Sequence, residues 1–366
     1  MKVLHINSGL EKGGGLFRIV NLLTEAKNEN EAFELLTLAE GPVTQAAKKA
    51  GIKTKVLGTK NRYDLTALNR LVNYINKHNF DIVHTHGARA NLYLSLIHKR
   101  INAKWVITVY SDPLKDFSGR GVIGNVFTKL NLNALKKADG VFAITQNFSD
   151  LLVNKIGVSK TNICVIYNGI FFHKDEKIPS KYAHPYFNII NVARAEKIKG
   201  QDLLLKAIKA IDNPDIQLHI VGDGSELNNL CALARDLGIT NKVTFHGFLN
   251  HEQIIELYRK MDLAVLTSYS ESFPLVLLEA SDNLVPILST NVGDIRKMIP
   301  DDNHGLVVEI GNEQEIEKKI EKTYSLDKEK LWQMAKIEKA YLANTFSMAN
   351  QLAAIKNYYQ ILLGDN

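Results

Sequence analysis

The feature that most constrains this chain is an alternation that runs along nearly its whole length and restarts once. Short apolar runs, Lys2 to Ile6, Asp81 to His84, Trp105 to Val109, Gly140 to Ile144 and Ile163 to Ile166, are separated by stretches with apolar residues at helical spacing, such as Leu65, Leu68, Leu71, Val72 and Ile75. Strands joined through helices can only be crossover-connected, so the pattern predicts a parallel sheet covered on both faces. A polar, Lys- and Pro-containing stretch from Phe172 to Pro185 interrupts it. The pattern then resumes with Phe187 to Val192, Gln217 to Val221, Lys242 to Phe245, Leu263 to Leu266 and Val285 to Ser289. Helices are expected at Leu203 to Ile211 and at Glu226 to Leu237, the second closing on Gly238 in a left-handed cap. A final helix, Met348 to Leu363, offers Leu352, Ile355, Tyr358, Tyr359 and Leu362 for one face. The reading is two doubly wound α/β domains, residues 1–171 and 187–345, joined by a linker at 172–186.

Composition narrows the classes. With 366 residues, 45% of them hydrophobic and 23% charged, the chain can bury two cores and is not disordered, and no apolar run approaches the roughly 18 to 20 residues of a spanning helix. Met1 to Asn7 enters a strand pattern directly, without the apolar core of a secretory leader, so a cytoplasmic protein is expected. Cys164 and Cys231 stand in no metal-ligand spacing, which speaks against a disulfide framework or a cysteine zinc site. The net charge of +6 hides an asymmetry: residues 1–180 carry 25 basic and 14 acidic groups, residues 181–366 carry 20 and 25. A basic half suits an anionic membrane surface, an anionic acceptor, nucleic acid, or a solvated surface with no partner. Nucleic acid is disfavoured because no basic-aromatic module accompanies the charge.

Four stretches can carry chemistry. In Ser270 to Glu279, Glu271 and Glu279 lie eight positions apart across a strand-to-helix junction, with Ser272 placed as N-cap and Pro274 in the first turn. Open amides at such a helix start attract an anion and a carboxylate accepts bonds from sugar hydroxyls; a solvated pair of helix glutamates is the plain alternative. Arg194 and Lys199 bracket a loop between a strand and a helix, where two cations neutralise a diphosphate or simply decorate the surface. Lys12 to Leu16, with Gly13, Gly14 and Gly15, opens a helix after the first strand, and Gly222-Asp223-Gly224 follows a later strand; neither has the spacing of a dinucleotide fingerprint. His84 and His86 share one side of a strand end, suited to substrate contact or to packing; no third metal ligand has matching spacing.

Together with His246-Gly247-Phe248, these elements resemble the family 4 retaining glycosyltransferases (glycosyl transferases group 1), over nearly the whole chain. The resemblance implies a GT-B fold, two Rossmann-like domains facing across a cleft, with the C-terminal helix, 346–366, packed back on the N-terminal domain. It implies that Glu279 holds the nucleotide ribose, that Arg194 and Lys199 hold the diphosphate, and that Glu271 with the backbone of Phe273, Pro274 and Leu275 holds the donor sugar. Phe248 would frame the base, Gly222, Asp223 and Gly224 would belong to the donor loops, and Gly14 and Gly15 would lie near the phosphates and the acceptor. Two departures stand out. Tyr110 occupies the place of a usual His associated with the reacting sugar, so its part is lost, taken by the Tyr hydroxyl, or supplied by His86; and Leu284 replaces a usual Gly, which bears on backbone geometry.

The implied activity is transfer of a sugar, hexosyl or N-acetylhexosaminyl, from a nucleotide diphosphate sugar, UDP by expectation, to a hydroxyl of a glycan or lipid-linked acceptor in cell-surface polysaccharide or glycoconjugate synthesis. Retention, no metal, no cofactor other than the nucleotide sugar as co-substrate, and no protein nucleophile go with it. Val122 to Leu130, followed by Lys136-Lys137, reads as a peripheral contact with the inner membrane face or as a buried crossover helix. Two other readings are a catalytically silent subunit that binds sugar nucleotide or a partner glycosyltransferase, motivated by Tyr110, and a sugar-nucleotide epimerase.

Overall fold

The computed structural model describes residues 1–11, 13–59, 64, 66–117, 119–174 and 185–364. Lys12 of the glycine-rich loop, Leu65 and residues 175–184 of the expected linker lie outside them. The chain divides into one unit of Met1–Phe171 with Met348–Asn366 and a second of Phe172–Ser347.

In the first unit the strands are β1 (Lys2–Asn7), β2 (Ala32–Thr37), β3 (Thr54–Val56), β4 (Ile82–His86), β5 (Lys104–Val109), β6 (Gly140–Ala143) and β7 (Ile163–Val165). They form one parallel sheet in the order β3-β2-β1-β4-β5-β6-β7. The crossovers are α1 (Gly14–Asn28), α2 (Pro42–Lys49), α3 (Thr66–Lys77), α4 (Ala88–Ile97), α5 (Gly121–Lys137) and α6 (Gln146–Leu151). Each face of the sheet has its own core. Ile6, Leu71, Val83, Leu94 and Trp105 pack on one side, and Val3, Leu22, Leu35, Ile82 and Phe142 on the other. That double burial explains why β1 and β5 read as nearly continuous apolar runs.

The second unit repeats the scheme with β8 (Phe187–Val192), β9 (Ile216–Val221), β10 (Val243–Gly247), β11 (Leu263–Leu266), β12 (Ile287–Thr290) and β13 (Leu306–Val308), ordered β10-β9-β8-β11-β12-β13 and all parallel. Its helices are α7 (Gln201–Ile211), α8 (Leu227–Asp236), α9 (His251–Tyr258), α10 (Leu275–Asp282), α11 (Ile295–Met298), α12 (Glu313–Tyr324) and α13 (Lys328–Phe346). Gly238 follows α8 at φ +69°, the left-handed turn that glycine adopts without strain. The last helix, α14 (Met348–Leu363), belongs to the first unit, where Leu352, Ile355, Tyr358 and Tyr359 are buried; Phe346 and Ser347 group with the second. Strand β12 begins at Ile287 and not at Val285, because Pro286 has no N–H for the ladder.

Candidate functional site

In a parallel sheet every strand delivers its following loop to the same edge, and a ligand crevice opens where the strand order reverses. In the second unit that reversal lies between β8 and β11. The loops after these two strands carry Lys199 and Glu271, and the structure joins them: Lys199 Nζ donates to Glu271 Oε1 at 2.7 Å, with side chains only 16% and 11% exposed. The Ser268 hydroxyl donates to the same oxygen at 2.7 Å. Close backbone approach holds the pair. Gly200, at φ +58°, lies where a Cβ would stand 2.3 Å from the Thr267 carbonyl oxygen, and Tyr269 N–H donates to Ile198 O at 2.8 Å. From the far side Thr290 Oγ1 donates to Ser268 O at 2.6 Å.

The loop after β9 is stitched to the same place. Gly222 and Gly224 lean on the 193–195 backbone so closely that a Cβ would stand 1.9 Å from Ala193 O and 2.4 Å from Ala195 O. Ala195 N–H donates to Asp223 O, and Glu226 N–H to Ala195 O. Asp223 turns its carboxylate onto the Gly224 N–H at 2.7 Å. These glycines are therefore demanded by the contact between two loops. Arg194 sits in the middle of it, yet its guanidinium reaches outward, 74% exposed, and pairs with Glu196 at 2.6 Å. Lys199 and Arg194 are thus not equivalent cations.

Glu279 lies on α10, mostly buried, and burial pushes its carboxyl up to about 7. His251 Nδ1 is 4.0 Å from it. The phenol of Tyr258 is raised by its own burial first and by the Glu279 charge second. Ser272 is not the N-cap: α10 starts at Leu275 behind Pro274, and no side chain caps it. Proline fixes the entry dihedral without a side-chain acceptor, and the backbone takes up the first turn: Leu275 N–H donates to Phe273 O and Leu277 N–H to Pro274 O, both at 3.1 Å. Phe273 is buried and Phe248 is 77% exposed, so the two aromatics play different parts. Leu284 holds φ +56° while buried, a left-handed conformation that a branched side chain adopts only under strain.

In the first unit the strand-order reversal lies between β1 and β4. His84 and His86 face one side, ring centroids 4.2 Å apart, and β1 places His5 opposite His84. A third imidazole is therefore present, which sequence spacing did not reveal; the ligating atoms of the three rings lie within 4.8 Å of one another. Each is engaged. His84 is held by Tyr359 Oη and Thr108 Oγ1, both at 2.6 Å. His5 Nδ1 and His86 Nε2 are 2.8 Å apart, and His86 Nδ1 is 2.9 Å from Tyr110 Oη. Burial holds all three rings neutral, with His86 lowered to about 3, and raises the Tyr110 phenol to about 12. His5 Nε2 has no hydrogen-bond partner among the described residues. A bare lone pair is less costly there than an orphaned N–H, so His5 carries its proton on Nδ1 and donates to His86. His86 then donates from Nδ1 to the Tyr110 oxygen, and the same phenol hydrogen-bonds the Thr108 side chain.

Gly14 and Gly15 form the first turn of α1, and a Cβ on Gly14 would meet nothing within 4 Å. Crowding by the chain itself does not require glycine there. Arg18, one turn on, lies 5.4 Å over the Tyr110 ring.

Residues 174–340 match the family Glycosyl transferases group 1, and residues 13–172 match Glycosyltransferase Family 4. The chain belongs to the family 4 glycosyltransferases. It is 26% identical to the N-acetyl-alpha-D-glucosaminyl L-malate synthase of Bacillus anthracis over 261 residues, 68% of this chain and 67% of that one. It is 24% identical to the O-antigen biosynthesis glycosyltransferase WbnH of Escherichia coli over 311 residues, 85% and 87% of the two chains. Among solved structures, Anabaena HepE in complex with UDP superposes with a TM-score of 0.82 at 18% identity, covering 99% of this glycosyltransferase and 100% of that chain. The two parallel-sheet domains are accordingly those of the GT-B fold.

Within this glycosyltransferase three contributors escaped sequence reasoning: His5, Ser268 and Glu196. His5 did leave a signal, a polar residue inside a run that otherwise reads as a buried strand. Ser268 and Glu196 gave none, because which oxygen faces which cation is decided by the loops.

Proposed function

We propose that this family 4 glycosyltransferase moves a hexosyl or N-acetylhexosaminyl group from a UDP-sugar to a hydroxyl of a glycan or lipid-linked acceptor, with retention at the anomeric carbon. The observation that carries the proposal is the convergence of the loops after β8, β9 and β11 on the Lys199–Glu271 pair at the strand-order reversal. Solved relatives hold UDP or UDP-glucose, which supports uridine as the base. In this reading Lys199, Arg194 and the helix-start end of α10 stabilise the diphosphate as its charge develops. Glu271 and the Phe273 to Leu275 backbone bind the sugar, Glu279 binds the ribose, Phe248 frames the base, and Gly222, Asp223 and Gly224 shape the loop around it. The anomeric C–O bond breaks with its electron pair on the diphosphate, the acceptor oxygen bonds to that carbon on the same face, and the acceptor proton passes to the departing diphosphate. Gly14 and Gly15 leave room for the phosphates and acceptor, and Tyr110, oriented by His86, donates to the reacting sugar.

A cytoplasmic setting at the inner face of a membrane fits the basic first half and the exposed Val122 and Ile123 of α5. No helix among the described residues is long and apolar enough to cross one. The test is a thermal-shift screen of nucleotide sugars, followed by NMR of the product's anomeric configuration. A donor at about 100 times its Kd adds about 2.7 kcal/mol to the native state. No shift with any sugar nucleotide overturns the reading; a shift without transfer identifies a silent subunit, and epimerised donor formed without acceptor identifies an epimerase.

A further inference from the structure

The second unit holds a cavity of about 500 Å³, a volume suited to a small ligand, lined from the starts of α7 and α8 and from the loops after β8 and β11. It lies away from Glu279. Helices α7 and α8 carry the chain from β8 to β9 and on to β10, whereas α10 carries it the opposite way, from β11 to β12. Right-handed crossovers that run in opposite directions lie on opposite faces of a sheet, so the cavity belongs to one face and Glu279 to the other. The 197–199 turn separates the cavity from the buried ion pair as well: Lys197 and Ile198 line the cavity, while Lys199 turns to Glu271.

The wall describes what it takes. Gln201 is only 2% exposed, and its Nε2 donates to Asn191 Oδ1 at 2.8 Å, while Asn191 Nδ2 donates to Val265 O at 2.8 Å, so the direction of the Gln201 amide is fixed. That leaves Oε1, on a side chain that lines the cavity, as a buried acceptor with no partner among the described residues. A ligand that donates a hydrogen bond there removes the cost of an unmet acceptor. Glu196, Asp202 and Glu226 add carboxylates to the wall, yet the charge is balanced: Arg194 pairs with Glu196 at 2.6 Å, Lys206 with Asp202 at 3.3 Å, and Lys197 lines the cavity itself. Three carboxylates against three cations leave no net charge to hold a polyamine or a polyanion. Tyr269 supplies an aromatic face. A Cβ on Gly200 would stand 3.3 Å from its Cε2 and one on Gly311 3.8 Å from its Cε1, so the ring is seated on backbone, and the residue is still 43% exposed. A ligand that is uncharged, rich in hydroxyls to donate and able to lay a C–H face on an aromatic ring is a saccharide. We infer that this cavity is a second saccharide site, which holds a neutral oligosaccharide without transferring to it. A sugar ring stacks on Tyr269, and its hydroxyls donate to Gln201 Oε1 and to Glu226. The assignment rests on the cavity alone and not on the donor reading.

Saturation-transfer NMR of the full chain with maltotriose, lactose, mannobiose and triacetylchitotriose tests it, with UDP in excess throughout and with spermidine and citrate as charged controls. At least one of the four saccharides is expected to bind, and neither control. Tyr269→Ala is expected to weaken that saccharide at least about tenfold, Glu226→Ala about threefold, and Tyr269→Phe hardly at all, with melting temperature and UDP affinity unchanged in the three variants. No contact with any of the four, or contact that persists in both alanine variants, overturns the assignment. So does spermidine or citrate bound in place of a saccharide and lost in those variants. A saccharide lost at Tyr269→Ala from a chain that does not bind UDP leaves this site standing and removes the glycosyl-transfer reading; UDP bound with no saccharide removes only the site.

Discussion

The two sheet edges of this glycosyltransferase share a topology and differ in how they treat charge. At the edge of the second unit, ions are kept: Lys199 and Glu271 are mostly buried but paired at 2.7 Å, and Arg194 stays 74% exposed beside Glu196. At the edge of the first unit, ionisable groups are stripped of charge: His5, His84 and His86 are buried neutral, and Tyr110 is held protonated. Desolvation decides both outcomes. A pair shares its desolvation with a Coulomb partner, whereas a cluster of like bases has no counter-ion and can only give up its protons. One edge is thus suited to an anion, the other to oriented neutral hydrogen bonds.

The comparison breaks most readily at Lys199. Lys199→Ala removes the shielded cation and leaves Glu271 with Ser268 alone, so kcat is expected to fall roughly a hundredfold to a thousandfold, read in a donor-turnover assay. Removing Glu271 as well, in Lys199→Met with Glu271→Leu, is expected to restore much of the lost thermal stability but none of the activity, because the isolated buried charge is gone while the anion site stays absent.

The next effect is on stability against pH, where the raised Glu279 opposes the lowered histidines. The histidines are depressed from 6.5, His86 to about 3, so the unfolded chain binds more protons below pH 6.5; the first unit loses stability as pH falls from 6.5 through 3, by up to about 1.4 kcal/mol per pH unit for each ring. Glu279 is raised from 4.5 to about 7, so at that site the folded chain binds the extra proton and gains at most about 1.4 kcal/mol per pH unit as pH falls from 7 to 4.5, which offsets part of the loss from His219, lowered to about 4, and His246, lowered as well, in the second unit. Tryptophan fluorescence reads the units separately, since Trp105 lies in the first and Trp332 in the second, and each can be replaced by Phe in turn. Glu279→Gln removes the offset and should steepen the acid loss read by Trp332; an unchanged slope would refute the Glu279 contribution.

Smaller effects sharpen the picture. Tyr110→Phe keeps the ring under Arg18 and removes only the hydroxyl that His86 orients, with an expected fall in kcat of about tenfold and little change in donor affinity. Arg194→Ala, at an exposed pair, should cost a few-fold in KM for the donor, about 1 kcal/mol or less. A loss at Arg194 as large as that at Lys199 would mean that its guanidinium leaves Glu196 when the donor binds.

The sequence by itself determined the two parallel sheets, because crossover connection and a doubly buried sheet follow from periodicity that any single strand and helix already display. It also singled out Glu271, Glu279, Lys199 and the Gly222 to Gly224 loop, since residues at strand ends are placed by topology before any contact is known. What it left undecided was partnership: Lys199 taking Glu271 while Arg194 takes Glu196, and His5 joining His84 and His86 from a strand almost eighty residues away. Those choices turn on ångström-scale approaches, such as a Gly200 Cβ that would lie 2.3 Å from Thr267 O, and on a dielectric that exists only once both faces of a sheet are covered. Tertiary structure alone supplies both.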